Sequence, residues 1–451
     1  MHNLSEVAKI KKREYYSSPL SLTSQFYFCP VPLRLDTYSG CEHNCIYCFA
    51  NNSMQKFIGS SEFSQRQIYE NVKPTKLAYV KKYFDMAFEG KPNTFSNQEA
   101  IAVECIKRKV PLHYGGMSDP CQPIEAEIGV TYEVLKLLKK YNYPVIFSTK
   151  GKLILSDKYF DLIKDYENFA LQISIIDDRE NVLKLLDPNA MTFAERIEAL
   201  KKYKSVGKWT AVRIQPFIIG LTDSRIIPML DKFQEVGVNH IMVEGLKFMS
   251  GNKEANERIS KVFKEVTGES YNLEAFYRAY SAKCSGNDLE LPSWRKYKYD
   301  KIFAEECKKR NMTFGCADND LRFLGDSPCC CGIENLKGFE NTLKHNTGHA
   351  IFRAMKQGLP NFDKSIIEQE WISDGKFRCP MSNENARARF EDGSANRPVQ
   401  ELFNNAWEKG GKNSPCDVCS VKHLGCGKYR FYTEEELKGI LKDGGSQQRL
   451  I

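Results

Sequence analysis

The chain has 451 residues, 42% hydrophobic and 27% charged, a composition that excludes a disordered or fibrous protein and allows two or three modules with a full-sized core. No uncharged apolar run approaches the ~18 residues of a membrane span, and the opening MHNLSEVAKIKKREYY lacks the apolar stretch of a secretory signal, so a cytoplasmic protein without a membrane partner is expected. Sixteen cysteines in so long a chain favour metal or iron–sulfur ligation over a disulfide scaffold, and a formal charge of +8 leans toward polyanionic partners without by itself arguing for nucleic acid.

Residues 1–25 read as an N-terminal extension. From 26 to 320, short β-branched or aromatic runs alternate with longer helical patterns, the signature of βα units around a parallel sheet. The first strand is predicted over 31–37 (VPLRLDT) and runs through Tyr38-Ser39-Gly40 into Cys41-Glu-His-Asn-Cys45-Ile-Tyr-Cys48. Three thiolates thus sit on the loop at a strand's C-terminal end, where barrel active sites are built. Iron–sulfur clusters usually take four cysteines; three in one tight loop hold a [4Fe-4S] cluster with one iron open to the amino and carboxylate groups of S-adenosylmethionine (SAM). Zinc held by the same thiols and His43 is the competing reading, but structural zinc prefers paired CxxC or CxxH knuckles and needs no barrel strand just ahead. Tyr47 offers a ring to the adenine of SAM or, equally, a hydrophobic anchor for the loop.

Further strands are predicted over 110–117, 144–150, 169–176, 209–217 and 240–246, with crossover helices over 129–141, 192–206 and 224–236. A helix over 298–310 followed by NMTFGCAD adds a seventh strand or closes the structure. The expected fold is α/β, a partial (β/α)6 TIM-type barrel. Buried parallel strands are apolar, so their polar residues are informative. Gln172 and Ser174 share one strand face, as do Arg213 and Gln215, and Glu244 follows Met242. Such faces point into the lumen, where a ligand would repay their burial, or else the strand ends reach solvent. His113, mid-strand, reads as a satisfied core histidine. Asp119 and Glu125 bracket a Pro-Cys-Gln-Pro turn and read as turn-forming before substrate-orienting.

After residue 320 the strand patterns fade, and cysteines at 329, 330, 331, 379, 416, 419 and 426 mark a cysteine-rich C-terminal module, 321–451. Cys416 and Cys419 form a CxxC pair with Cys426 beyond it, and Cys379 or one of Cys329 to Cys331 completes a set of four for an auxiliary iron–sulfur cluster or a structural zinc. Of the nearby histidines, His423 is the one that falls inside the CxxC-to-Cys loop.

Residues 28 to 250 resemble radical SAM proteins similar to spore photoproduct lyase. The likeness rests on the triad and on VKPTKLAYVKKY (72–83), GGMSDPCQPIE (115–125), PVIFSTKG (144–151), LQISII (171–176), DPNAMTFAERIEAL (187–200) and VRIQPFIIGLTD (212–223). It implies a SAM-cleaving enzyme whose 5'-deoxyadenosyl radical abstracts hydrogen from a nucleic acid or nucleotide, served by an electron donor such as flavodoxin or ferredoxin. It also implies that Ser174 contacts the ribose or methionyl part of SAM and that Arg213, Gln215 and Pro216 lie near the cofactor. Lys150 would pair with the SAM carboxylate or a phosphate, or be a solvated strand-end lysine. Where those lyases carry the cysteine that returns hydrogen to the product, this chain has Met117, and a thioether cannot donate it. Cys121 is the substitute, with metal ligation and packing as its other readings. The stretches Lys9 to Tyr16 and WRKYKY (294–299) suit phosphate and base contacts or form a solvated basic face. Two alternatives stay open: radical SAM modification of a peptide or small metabolite with an auxiliary cluster, and a non-enzymatic iron–sulfur or zinc nucleic-acid-binding protein.

Overall fold

The structure, a computed structural model, describes residues 15–23, 25, 27–50, 72–91, 97–249, 253–270, 272–280, 283–285, 288–367 and 399–442. Its centre is an eight-stranded sheet in the order β1 (Leu20–Leu22), β2 (Leu33–Leu35), β3 (Leu112–Tyr114), β4 (Val145–Thr149), β5 (Phe169–Ser174), β6 (Trp209–Phe217), β7 (His240–Gly245) and Thr313–Cys316. β1 runs antiparallel to β2, and every later pair is parallel. Among the described residues no pairing joins β1 to Thr313–Cys316, so the sheet is a partial barrel open on one side.

The six strands read from the sequence are all present, and Thr313–Cys316 adds the seventh parallel strand. The short β1, of sequence LSL, was not foreseen. Parallel neighbours need crossovers, and the helices Val130–Lys140, Asp157–Ile163, Phe193–Lys204 and Ile226–Glu235 supply them between β3 and β7. Apolar spacing and capping explain them. Val134, Leu135 and Leu138 bury one face of the first, and Thr192 with Glu195 forms a capping box that starts the third.

All five residues of β4 are buried, as both-face coverage requires. Phe147 packs outward on Tyr114 and Phe169, while Ile146 joins Val31, Ala170 and Met242 in a separate apolar cluster inside the barrel. This cluster forms the lumen floor at the N-terminal ends of the strands. Residues beyond 320 return beneath it. Leu343 N donates to Pro30 O (2.9 Å), Thr347 N to Tyr27 O (2.8 Å), and Cys329, Cys331, Ile333 and Phe339 pack against the floor. Farther along, Asn361–Phe362, Lys428–Phe431 and Val421–Gly425 form a small antiparallel sheet. No helix among the described residues is long and apolar enough to cross a membrane.

Candidate functional site

Two segments meet at the C-terminal end of β2. Asp36, the residue after that strand, accepts from the backbone N–H of Met117 (2.8 Å) and Ser118 (2.9 Å), and Ser118 Oγ donates to Tyr38 O (2.8 Å). Glu42 N donates to Gln122 Oε1 (2.9 Å), Gln122 Nε2 to Gly40 O (3.0 Å) and Ile124 N to Glu42 Oε2 (2.6 Å). The cysteine loop is therefore laced onto the 117–125 turn by paired side-chain and backbone bonds, which fixes it before any ligand arrives.

Both acids of that turn are spent on structure. Asp119 accepts from Cys121 N (2.8 Å), Thr149 Oγ1 (2.7 Å) and Lys150 N (2.7 Å), and lies 3.2 Å from His43 Nε2. Burial opposes its charge, but His43 and these donors hold its pKa below the usual carboxylate range. Glu125 accepts from the Tyr38 hydroxyl, from Tyr159 Oη (2.5 Å) and from the N–H of Thr131 (3.0 Å) and Tyr132 (3.1 Å). Cys121 is 1% exposed beneath this turn, and burial followed by Asp119 and Glu125 pushes its thiol well up.

Cys45 of the loop faces a charged cluster that the sequence did not reveal. Lys150 Nζ lies 3.6 Å from Cys45 Sγ, donates to Tyr47 Oη (2.7 Å) and pairs with Asp187 (3.3 Å). Tyr47 is buried, donates its hydroxyl to Asp187 and presents its ring to Lys150 at 5.0 Å, the arrangement of a loop anchor. Arg196 closes the set at 3.0 Å from Asp187, with both side chains fully buried. Burial works against the charge of Lys150, yet Asp187 holds its pKa above the ordinary lysine value. Burial likewise opposes ionisation of Asp187, and Lys150 and Arg196 outweigh it. The Cys45 thiol is pushed up by burial and then by Asp187, with Lys150 as the opposing cation. A metal would deprotonate it, and Lys150 is placed to compensate the charge.

Above the apolar floor the lumen wall is polar. Arg213 donates from Nε to Gln215 Oε1 (3.1 Å) and from Nη1 to Ser148 Oγ (3.1 Å), and Nη1 lies 2.9 Å from His113 Nε2. Gln215 in turn donates to Glu244, and Glu244 pairs with Lys247 (2.8 Å). Burial, then Arg213 and Arg34, keep His113 neutral by holding its pKa well below the usual value, so it is the satisfied core histidine expected. Ser174 ends β5 in register with Arg213, its carbonyl taken by Arg196 (2.9 Å). Gln172 Nε2 and Arg34 Nε are buried without a hydrogen-bond partner. Orphaned donors in a polar lumen beside three thiols fit the amino-acid and ribose groups of SAM and a cluster at the loop.

Two expectations are corrected. Lys296 of the WRKYKY stretch is 5% exposed and bound to Asp318 (2.8 Å) and Asp320 (2.9 Å), so it is no phosphate contact. Arg295 lies over the Tyr280 ring at 4.4 Å, and Lys298 is the exposed cation of the group. The stretch is helical, and helix geometry turns every third or fourth residue inward. Cys329 to Cys331 do not complete a set with Cys416, because they pack in the lumen floor with Ile146, Ala170 and Met242. Cys416 Sγ accepts from Gly411 N (2.9 Å) and meets Ser414 Oγ at 3.0 Å; Cys419 is half-buried and Cys426 exposed at the tip of the Val421–Phe431 hairpin. His423 Nε2 is buried without a hydrogen-bond partner. Cys379 and Lys9 lie outside the described residues.

Residues 35–233 match the family model described as Radical SAM superfamily. An uncharacterized protein of Methanocaldococcus jannaschii is 24% identical over 227 residues, covering 50% of this chain and 73% of that one. A protein of Pseudomonas phage M6 named Radical SAM Nalpha-GlyT isomerase is 17% identical over 281 residues, 62% of this chain and 52% of that one, so the chain spans about half of the phage protein's length. Among solved structures, a spore photoproduct lyase variant aligns at 13% identity and a TM-score of 0.42 over 62% of this chain and 74% of that one.

Proposed function

We propose that this chain, whose residues 35–233 match the Radical SAM superfamily model, is a radical SAM protein in which Cys41, Cys45 and Cys48 hold the [4Fe-4S] cluster while SAM fills the polar lumen beside them. The observation that carries this reading is the three-thiol loop fixed at the end of β2 with the Lys150–Asp187–Arg196 cluster against it. When bound, cluster and SAM supply a 5'-deoxyadenosyl radical that abstracts hydrogen from substrate, given an electron from a donor of the flavodoxin or ferredoxin class.

The chain's own residues bind, orient and exclude water. Lys150, held by Asp187 and Tyr47, offers its ammonium to the thiolate at Cys45 or to an anionic group of the ligand beside it. Ser174, Arg213 and Gln215 present the polar wall toward the ribose and methionyl groups. Cys121, sealed under the turn, packs rather than returning hydrogen to product. Cys416, Cys419 and Cys426, with His423 or Cys379 as fourth ligand, take a second metal, zinc or an auxiliary iron–sulfur cluster.

The substrate is a nucleic acid or nucleotide, a reading supported by the formal charge of +8. A peptide or small metabolite is the second reading, favoured by the carboxylates Glu244, Glu290 and Asp318 around β7's C-terminal end, which a phosphate would avoid. Anaerobic reconstitution with SAM and dithionite tests the core of the proposal. The intact chain is expected to release 5'-deoxyadenosine and the Cys41→Ala, Cys45→Ala, Cys48→Ala variant none; continued release from that variant overturns the cluster assignment.

A further inference from the structure

Four cysteines distant in sequence meet at the opposite end of the lumen from the triad. Cys29 precedes β2, with Sγ 3.2 Å from Val31 O, and packs with Cys329, Cys330 and Cys331 against the floor formed by Val31, Ile146, Ala170 and Met242. The thiol of Cys331 lies beside those of Cys329 and Cys330, and Cys29 and Cys330 are electrostatic neighbours.

The three consecutive cysteines are forced into this position. Gly332 closes their turn with φ +69 and donates its N–H to Cys329 O (2.9 Å); a Cβ there would lie 2.4 Å from the His240 ring. A Cβ on Gly315 would lie 2.1 Å from Cys330 O, so both glycines permit the turn to press up under the strands. Arg322 ties the two thiol-bearing segments together, donating from Nη1 to Pro328 O (2.8 Å) and to Phe28 O (3.4 Å).

Charge gives the reason to look past packing. Arg322 is 5% exposed and Arg34 half-buried, both within electrostatic reach of Cys29, and among the described residues neither forms an ion pair. Their Nε atoms are buried without a hydrogen-bond partner. Arg213 also stands within electrostatic reach of Cys330 and Cys331. Among the described residues Arg322 meets neutral acceptors alone, donating also from Nη2 to Asn319 Oδ1 (2.9 Å), and a buried guanidinium without an anionic partner is costly, so anionic thiolates beside it would neutralise it.

We infer that Cys29, Cys329, Cys330 and Cys331 bind an iron–sulfur cluster at the N-terminal end of the barrel, separate from the triad and from Cys416 and Cys419. An iron–sulfur cluster fits better than one zinc ion. Zinc–sulfur bonds of ~2.3 Å in a tetrahedron bring thiolates within about 4 Å of one another. Among the described residues the one group of three ligand atoms within 4.8 Å of each other is Asp300, Cys316 and Asp318, which already faces Lys296. No three of the four thiols lie within that distance of one another, a spacing that a polynuclear cluster accommodates and a single zinc ion does not.

The test uses the full chain with Cys41, Cys45, Cys48, Cys416 and Cys419 changed to alanine, reconstituted anaerobically with iron and sulfide. About four iron atoms per chain should remain, with the visible absorption of thiolate-bound iron, and should be lost when Cys29→Ala and Cys331→Ala are added. Background iron in the five-cysteine variant, with circular dichroism and melting like the parent, overturns the inference, as does iron that survives the two added changes. If the five-cysteine variant does not fold, Cys29→Ser alone in the otherwise intact chain decides. It should lose about four irons per chain while SAM still perturbs the spectrum of the triad's cluster, and an unchanged iron count would refute the site. The SAM-dependent signal reports on the triad separately, so failure of one assignment leaves the other readable.

Discussion

At the scale of single residues, the site depends on one buried anion and the two cations that make its burial tolerable. Asp187 is fully buried, and Arg196, equally buried, reaches it at 3.0 Å while also donating to the carbonyls of Met191 and Ser174 (2.9 Å each). Replacing one partner of such a pair strands the other in low dielectric, which costs more than the pair contributes. Arg196→Ala should therefore lose ~3–5 kcal/mol of stability in denaturant unfolding, and Tyr47 and Lys150 would lose the anchor that orients them toward Cys45. Arg196→Lys keeps the charge but not the fork that serves two carbonyls and a carboxylate, so its loss should be intermediate. An Arg196→Ala cost near zero would mean that Lys150 alone satisfies Asp187.

Among the elements, the exit of β4 is as sensitive as any side chain at the site. Gly151 has an ordinary φ of −88, so conformational freedom is not what it provides. A Cβ there would lie 2.1 Å from the carbonyl oxygen of Cys121, so the strand exit and the 117–125 turn touch through backbone alone. Gly151→Ala must push them apart, breaking the bonds from Asp119 to Thr149 and to Lys150 N. Overpacking against backbone costs ~1–3 kcal/mol. The expected outcome is a lower melting temperature together with reduced 5'-deoxyadenosine release; a variant that melts and turns over like the parent would show that the turn adjusts freely.

The same elements show what the sequence could disclose. Strands such as β4, VIFST, are legible because burial on both faces demands an apolar β-branched run, and the helices are legible through their 3.6-residue period. The three-residue β1 is too short to carry any period. The triad is legible because its chemistry needs local spacing. Asp187 and Arg196 are not, since their pairing is made by a helix folding back over a loop, with no pattern at their separation. Cys29 and the cysteines at 329–331 stand at opposite ends of the barrel sequence, and only closure of the sheet brings them together. The basic appearance of WRKYKY misled for a related reason: the acids that consume Lys296 come from the segment after the last parallel strand.

Across the whole molecule, the formal charge of +8 has to be weighed against where the cations are spent. Lys150 is paired with Asp187, Lys247 with Glu244 and Glu290, and Lys296 with Asp318 and Asp320, so three basic groups near the strands' C-terminal ends are already neutralised. Cations left for a phosphate backbone include the exposed Lys298 and the half-buried Arg258, whose Nη2 donates to Asn44 O (3.2 Å) and Oδ1 (3.1 Å) within the cysteine loop itself. Hydrogen abstraction requires the target atom to come into van der Waals contact with the radical, so a base inside a duplex would first have to be unstacked, and single strands should bind in preference. Each phosphate contact releases counterions, so the logarithm of affinity should fall with the logarithm of salt, and Arg258→Ala or Lys298→Ala should each flatten that slope by about 0.7 on a single strand. Lys296→Ala should leave the slope alone and instead lower stability, because it strands two carboxylates. Fluorescence anisotropy with labelled single strands across a salt series separates these outcomes. Binding that is absent, or indifferent to salt, would transfer the substrate assignment to a peptide or small metabolite, for which the acidic end of β7 is the better complement.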